Sequence, residues 1–337
     1  MRKMLLTTMT VSLVGLWACA PATTDAPPPP VVSAPAIDGP ADSAPAQKLT
    51  LGFAQVGAES DWRKANTESI KAEAEKRGHE LKFSDAQQKQ ENQIKAIRSF
   101  IAQGVDVIAF APVVETGWDA VLAEAKAANI PVILSDRTIN TQDETLYTAF
   151  VGSDFREEGR RAGKWLAEKT NGEASILELQ GTPGSAPANE RKAGFAEAIA
   201  DFPNMKIVKS QTGEFTRAMG KEVMEAFLKT PEGQGATALY AHNDDMAIGA
   251  IQAIEAAGKK PGQDIVIVSV DGVKDAFLAI QEGKLNCTVE CNPLLGPPIF
   301  DLAEKLVAGE QVPKITYSEE GVFDENNYAD VINDRKY

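Results

Sequence analysis

Residues 105–112 read VDVIAFAP, a nearly unbroken apolar run. It is too short for a buried helix and lacks the alternation of a half-exposed strand, so it reads as a strand covered on both faces, the kind found inside a parallel sheet. Its neighbours support this. In QENQIKAIRSFIAQG, just upstream, Ile94, Ile97 and Ile101 fall at i, i+3 and i+7, one face of a helix, and Gly104 supplies the stop. Downstream, GWDAVLAEAKAAN reads as a helix and IPVILSD as the next strand. Upstream again lie KLTLGFAQV, a helix over 61–77 and HELKFSDA. Strand and helix alternating with short connections predict a doubly wound α/β sheet.

The pattern then restarts. YTAFVGSD leads into the helix FREEGRRAGKWLAEKT; ASILELQG, a helix around RKAGFAEAIADF, MKIVKSQTG, the helix TRAMGKEVMEAFLKT, ATALYAH, the helix DDMAIGAIQAIEAAG and DIVIVSVDG follow. Two α/β lobes are the economical reading of 337 residues. The last stretch, LNCTVECNPLLGPPIFDLAEKLVAGEQVPKITY, offers two short strands around one helix that return the chain toward the first lobe.

Ahead of the lobes, Arg2 and Lys3 precede an apolar run over 4–16 that is too short to span about 30 Å of hydrocarbon. Residues 1–18 therefore read as an export signal, and LWAC at 16–19 as a lipidation box that would make Cys19 a lipid anchor; a plain secretory signal is the alternative. Residues 19–48, rich in Pro and Ala, read as a semi-rigid tether. The net charge of −14 argues against a nucleic-acid partner. Cys287 and Cys291 lie four apart in a strand-like segment, about 13 Å between Cα atoms, too far for a disulfide without a bend, so free buried thiols are expected. Two histidines, His79 and His242, leave little for a zinc site or a His-based triad.

Familiar catalytic signatures are missing: GTPGSA at 181–186 has the wrong spacing for a dinucleotide loop, and GRRAGKW at 159–165 is not a phosphate loop. What recurs is a polar group just past a strand end: Glu59, Trp62 and Arg63, then Asp136 and Arg137, then Asn243, then Asp271. Open α/β sheets bind ligands there, and carboxylates, guanidinium forks and an amide suit a polyhydroxyl ligand, with Trp62 able to cover a sugar face. Each has a plainer reading. Glu59 would be a solvated loop acid, Asp136–Arg137 a surface ion pair, Asn243 a helix cap, Asp271 a turn and Trp62 a core residue. Arg191, in NERKAGF, reads from its surroundings alone as a solvated helix charge.

GFAQVGAESDWR, DAQQKQENQIKAIRSFIAQGVDVIAFAPVVETGW, SDR, ERKAGFAEAI, YAHNDDMAIGAIQAI and VDG together resemble the type I periplasmic sugar-binding proteins, and within them the galactofuranose-binding branch that serves ABC transporters. The resemblance covers about 49–318. It implies two Rossmann-like lobes joined by three crossovers, 49–153 plus 292–316 and 154–291 plus 317–337, with a monosaccharide clamped between them. It assigns ligand contacts to Glu59, Arg63, Asp136, Arg137, Arg191, Asn243 and Asp271, reversing the plain reading of Arg191, and stacking to Trp62. It implies a non-enzymatic, monomeric receptor in the periplasm, without cofactor or metal, that delivers its sugar to a membrane permease; presentation to a chemotaxis sensor is the alternative. A repressor sharing the fold would need a helix-turn-helix where the signal and tether stand, and a glycosidase on this scaffold would turn over glycosides. Asn189 and Glu190, ahead of Arg191, and the two cysteines depart from the branch's pattern.

Overall fold

Short apolar runs become strands and the periodic segments between them become helices. In the computed structural model, which describes residues 48–337, β1 (Thr50–Gln55), α1 (Asp61–Arg77), β2 (Glu80–Asp85), α2 (Gln90–Gln103), β3 (Val107–Phe110), α3 (Asp119–Ala127), β4 (Val132–Asp136) and β5 (Ala149–Gly152) build the first body. The expected signal, Cys19 and nearly all of the tether lie outside the described residues. The second body runs α4 (Phe155–Lys169), β6 (Glu173–Gln180), α5 (Ala186–Ile199), β7 (Asn204–Thr212), α6 (Arg217–Leu228), α7 (Pro231–Gln234), β8 (Ala238–Ala241), α8 (Asp244–Ala256), β9 (Val266–Asp271), α9 (Lys274–Gln281) and β10 (Cys287–Glu290). The chain then returns through α10 (Gly296–Val307) and β11 (Ile315–Tyr317) to the first body, and crosses again to β12 (Val322–Asp324).

The sheets have strand orders β11-β5-β4-β3-β1-β2 and β12-β10-β9-β8-β6-β7. Every pairing is parallel except β10 with β12. Both are doubly wound, with the order reversing between β1 and β3 and between β6 and β8, where crevices open at the carboxyl ends of the strands. The apolar run at 107–110 is fully buried, as a strand covered by helices on both faces must be. Three crossovers join the bodies: after β5, after β10 and after β11.

Three elements lie beyond the sequence expectation: α7, α9 and β12. The helix expected around residue 191 starts at Ala186, with Pro187 in its first turn, where the missing N–H costs nothing. Cys287 and Cys291 are free and buried.

Helices α4 and α5 meet backbone to backbone. A Cβ on Gly194 would sit 1.9 Å from the Arg156 carbonyl oxygen, and one on Gly159 2.3 Å from that of Arg191. This contact seats Arg191 against the turn that carries Glu158. Gly194→Ala should force the helices apart and cost about 1–3 kcal/mol, the range for overpacking a close contact. A urea melt measures it, and an unchanged midpoint would show that the contact yields freely.

Candidate functional site

The strand-end positions converge. Glu59 and Arg63 follow β1, Asp136 ends β4 with Arg137 next, Asn243 stands between β8 and α8, and Asp271 ends β9. With Arg191 on α5, all seven line one cavity between the two bodies, about 280 Å³ of space between atoms. Each of the seven side chains is buried.

On the first body, Arg63 is the organiser. Its Nη2 donates to Asp136 Oδ2 at 2.6 Å, its Nε to Glu59 Oε1 at 3.0 Å and its Nη1 to Gln55 Oε1 at 3.3 Å. Ser60 caps α1 by accepting from the Arg63 N–H, which holds this residue in the helix's first turn. Burial disfavours the charge on Glu59, but Arg63 and Arg137 outweigh it and hold the carboxyl below its ordinary range. Arg137 is less well served: Nη1 donates to the Val113 carbonyl at 3.2 Å, and Nη2 stays 3.6 Å from Glu59 Oε1. Burial, then Arg63, push its pKa down to about 10. Glu59 Oε2 and Arg137 Nε are buried with no hydrogen-bond partner among the described residues. Native interiors rarely leave such groups unpaired, so an acceptor and a donor here stand ready for a ligand's hydroxyls.

On the second body, Arg191 donates from Nε to Glu158 Oε2 at 2.7 Å and from Nη1 to the His242 carbonyl at 2.6 Å, with Nη2 3.5 Å from Asp271 Oδ1. Burial raises the pKa of both Glu158 and Asp271. Asn243 caps α8: Oδ1 accepts from the Met246 N–H, and Nδ2 donates to the Phe215 carbonyl. The capping reading of Asn243 thus holds alongside its place in the cavity wall. Three wall residues take left-handed backbone conformations that L-residues avoid: Asp136 at φ 63°, Phe215 at φ 62° and Asp271 at φ 128°. Strain of this kind costs about 1–3 kcal/mol per residue and gathers where a precise side-chain position is needed.

Three plain readings are corrected. The Glu59 side chain is 2% exposed, so it is no solvated loop acid. Arg191 is 3% exposed, because α5 packs against α4 and turns it inward, so it is no solvated helix charge. Asp136 and Arg137 are equally covered, since the second body closes over their strand end. Trp62 does two things. Its Nε1 donates to the Cys291 carbonyl at 2.6 Å, its ring lies 4.7 Å from the Arg63 guanidinium carbon, and it packs into the hydrophobic core of the second body although it sits on α1 of the first. Sequence reasoning missed Phe155, Phe215 and Glu158. Phe215 lies beneath both Arg137, at 5.5 Å, and Arg191, at 6.0 Å. It follows an edge strand in a loop with no local cue, and only the fold brings it inward.

Polar contacts also join the rims of the two bodies. The Asp61 N–H donates to Asp245 Oδ2 at 2.8 Å, Arg217 Nη2 reaches Asp61 Oδ2 at 3.0 Å, and the Glu115 N–H donates to the Gly184 carbonyl at 2.9 Å. Asn189, one of the unusual residues ahead of Arg191, donates its amide to the Glu115 carboxylate across the same gap.

Comparison with known proteins places the fold in a family. A profile of the periplasmic binding protein domain matches residues 51–311. The galactofuranose-binding protein YtfQ of Escherichia coli is 54% identical over 271 residues, 80% of this chain and 85% of that protein. A Mycobacterium smegmatis structure in complex with β-D-fucofuranose superposes with a TM-score of 0.83 at 58% identity, covering 86% of this chain and 95% of that one. A second Mycobacterium smegmatis structure, 57% identical with 86% and 96% coverage, superposes with a TM-score of only 0.66.

Proposed function

The chain belongs to the periplasmic binding protein family, and from that premise we propose that it is the sugar receptor of an ABC transporter, taking a monosaccharide in its furanose form, galactofuranose or a close relative, to a membrane permease. One observation carries this reading: seven charged or amide side chains from two separate sheets line one cavity between the bodies, with an unpaired acceptor and an unpaired donor facing each other there. The ligands that the relatives are named for or bound to, galactofuranose and fucofuranose, favour the five-membered ring.

Arg63, Arg137 and Arg191 would donate to ring and hydroxyl oxygens, while Glu59, Asp136 and Asp271 accept from hydroxyls. Trp62 and Phe215 would cover the apolar ring faces. The acids stand beside arginines rather than apart as a free acid and base, which favours holding a ligand over cleaving one.

Sugar that bridges both half-sites would stabilise the closed arrangement of the bodies by its differential contacts. The moving bodies on this reading are 49–153 with 292–316 and 154–291 with 317–337. The drop in TM-score from 0.83 to 0.66 at nearly constant identity is what a rotation of the two bodies would produce, and it supports a hinge. We take the protein to act as an exported monomer in the periplasm, held to the membrane through lipid on Cys19, the reading that the basic start, the short apolar run and LWAC at 16–19 support.

Calorimetry with D-galactose and L-arabinose, followed by carbon-13 NMR of the bound labelled sugar, tests the reading. The expected result is saturable heat with one bound furanose form selected from the ring mixture. A bound pyranose would overturn the ring assignment, and no saturable heat with any monosaccharide would overturn the receptor.

A further inference from the structure

The three crossovers between the bodies do more than connect them. Ser153 lies in the first, Cys291 in the second and Glu320 in the third, and their side chains meet. The Ser153 Oγ donates to Glu320 Oε1 and lies 3.3 Å from the Cys291 Sγ, while the Asn292 N–H donates to Glu320 Oε1 at 3.1 Å. Glu158, in the first turn of α4, completes the group: one of its carboxylate oxygens, the Cys291 Sγ and a Glu320 oxygen lie within 4.8 Å of one another.

We propose that Glu158, Cys291 and Glu320 form a hinge site for a divalent cation of borderline softness, zinc above all.

The donor set supports this choice. A thiolate with two carboxylates is too soft for magnesium or calcium, yet harder than the all-sulfur sites that hold copper(I). The ligand atoms need to move by about 1 Å to close on a zinc ion, given bond lengths of roughly 2.0–2.3 Å. Glu158 is 1% exposed and divided in purpose: Oε2 accepts from Arg191, whereas Oε1 makes no well-formed hydrogen bond among the described residues, the Cys291 thiol being the other donor within reach of this carboxylate. An unsatisfied carboxylate oxygen in a dry interior is costly, and a cation beside it removes that cost. Two acids are crowded together here, with Arg191 on the Glu158 side and Arg161 donating from Nη1 to the Glu320 carbonyl at 2.9 Å on the other. Binding would release the Cys291 thiol proton to solvent. Cys291 also lines the sugar cavity, which gives the ion an entry path when the bodies part. Because Glu158 shares its carboxylate between this site and Arg191, metal at the hinge would be felt in the sugar cavity.

Cobalt(II) chloride is the probe, added to the full chain with and without sugar. The expected result is a near-ultraviolet thiolate-to-cobalt charge-transfer band that saturates at one ion per chain and is displaced by zinc. Cys291→Ser should abolish the band, Glu320→Gln should weaken cobalt affinity at least ~10-fold, and Cys287→Ser and Cys19→Ser should leave the band unchanged. Circular dichroism checks that Cys291→Ser folds; if it does not, Glu320→Gln decides. No band in the parent chain, a band that survives Cys291→Ser, or cobalt affinity unaltered by Glu320→Gln would overturn the proposal.

Discussion

Arg191→Met is expected to abolish sugar binding and to lower stability by about 3–5 kcal/mol, the cost of removing one partner from a buried ion pair. The guanidinium sits between Glu158 and Asp271 and also holds the His242 carbonyl. Without it two acids that burial already discourages from ionising lose the cation that offsets them. The double variant Arg191→Met/Glu158→Gln should recover part of the stability, because the stranded charge is gone, yet none of the binding. Urea melts and calorimetry on the pair separate the two losses. A single variant that binds sugar at parental affinity would remove Arg191 from the site, and a double variant no more stable than the single would show that burial of Glu158 is not the cause.

Trp62→Ala should behave differently. Large aromatic truncations in a core cost about 3–5 kcal/mol. Trp62, however, belongs to the first body by sequence and to the second body's core by contact, so the loss falls on closure rather than on the folding of either body. The expected result is a urea melt close to the parent and a sugar affinity weaker by roughly a hundred- to several-thousand-fold, that free energy expressed as a dissociation constant. Small-angle scattering of the variant with saturating sugar should show a larger fraction of open molecules. A large fall in the melt with affinity intact would make Trp62 an ordinary core residue.

These two residues show how much of the site was legible beforehand. Glu59, Asp136, Asn243 and Asp271 carry a local signal, a polar group directly after an apolar strand, and the doubly wound sheet explains why that position faces a crevice. Arg191 has none: five residues into a helix with charged neighbours it reads as solvated, and only the resemblance to sugar-binding proteins pointed to its role. Its burial follows from Gly159 and Gly194, which let α4 and α5 close on each other. Phe155, Phe215 and Glu158 had no signal, since nothing within a few residues distinguishes an inward aromatic or acid from a surface one.

By itself the order of residues determined the α/β class, the restart of the pattern that makes two bodies, and which strand ends carry polar groups, because periodicity and turn chemistry act over a few residues. Tertiary structure alone decided that those ends face one another across a shared cavity, that Trp62 crosses between bodies, and that Ser153, Cys291 and Glu320 meet at the hinge. Those facts depend on contacts between residues more than a hundred positions apart, and such contacts exist only once both sheets have formed and packed.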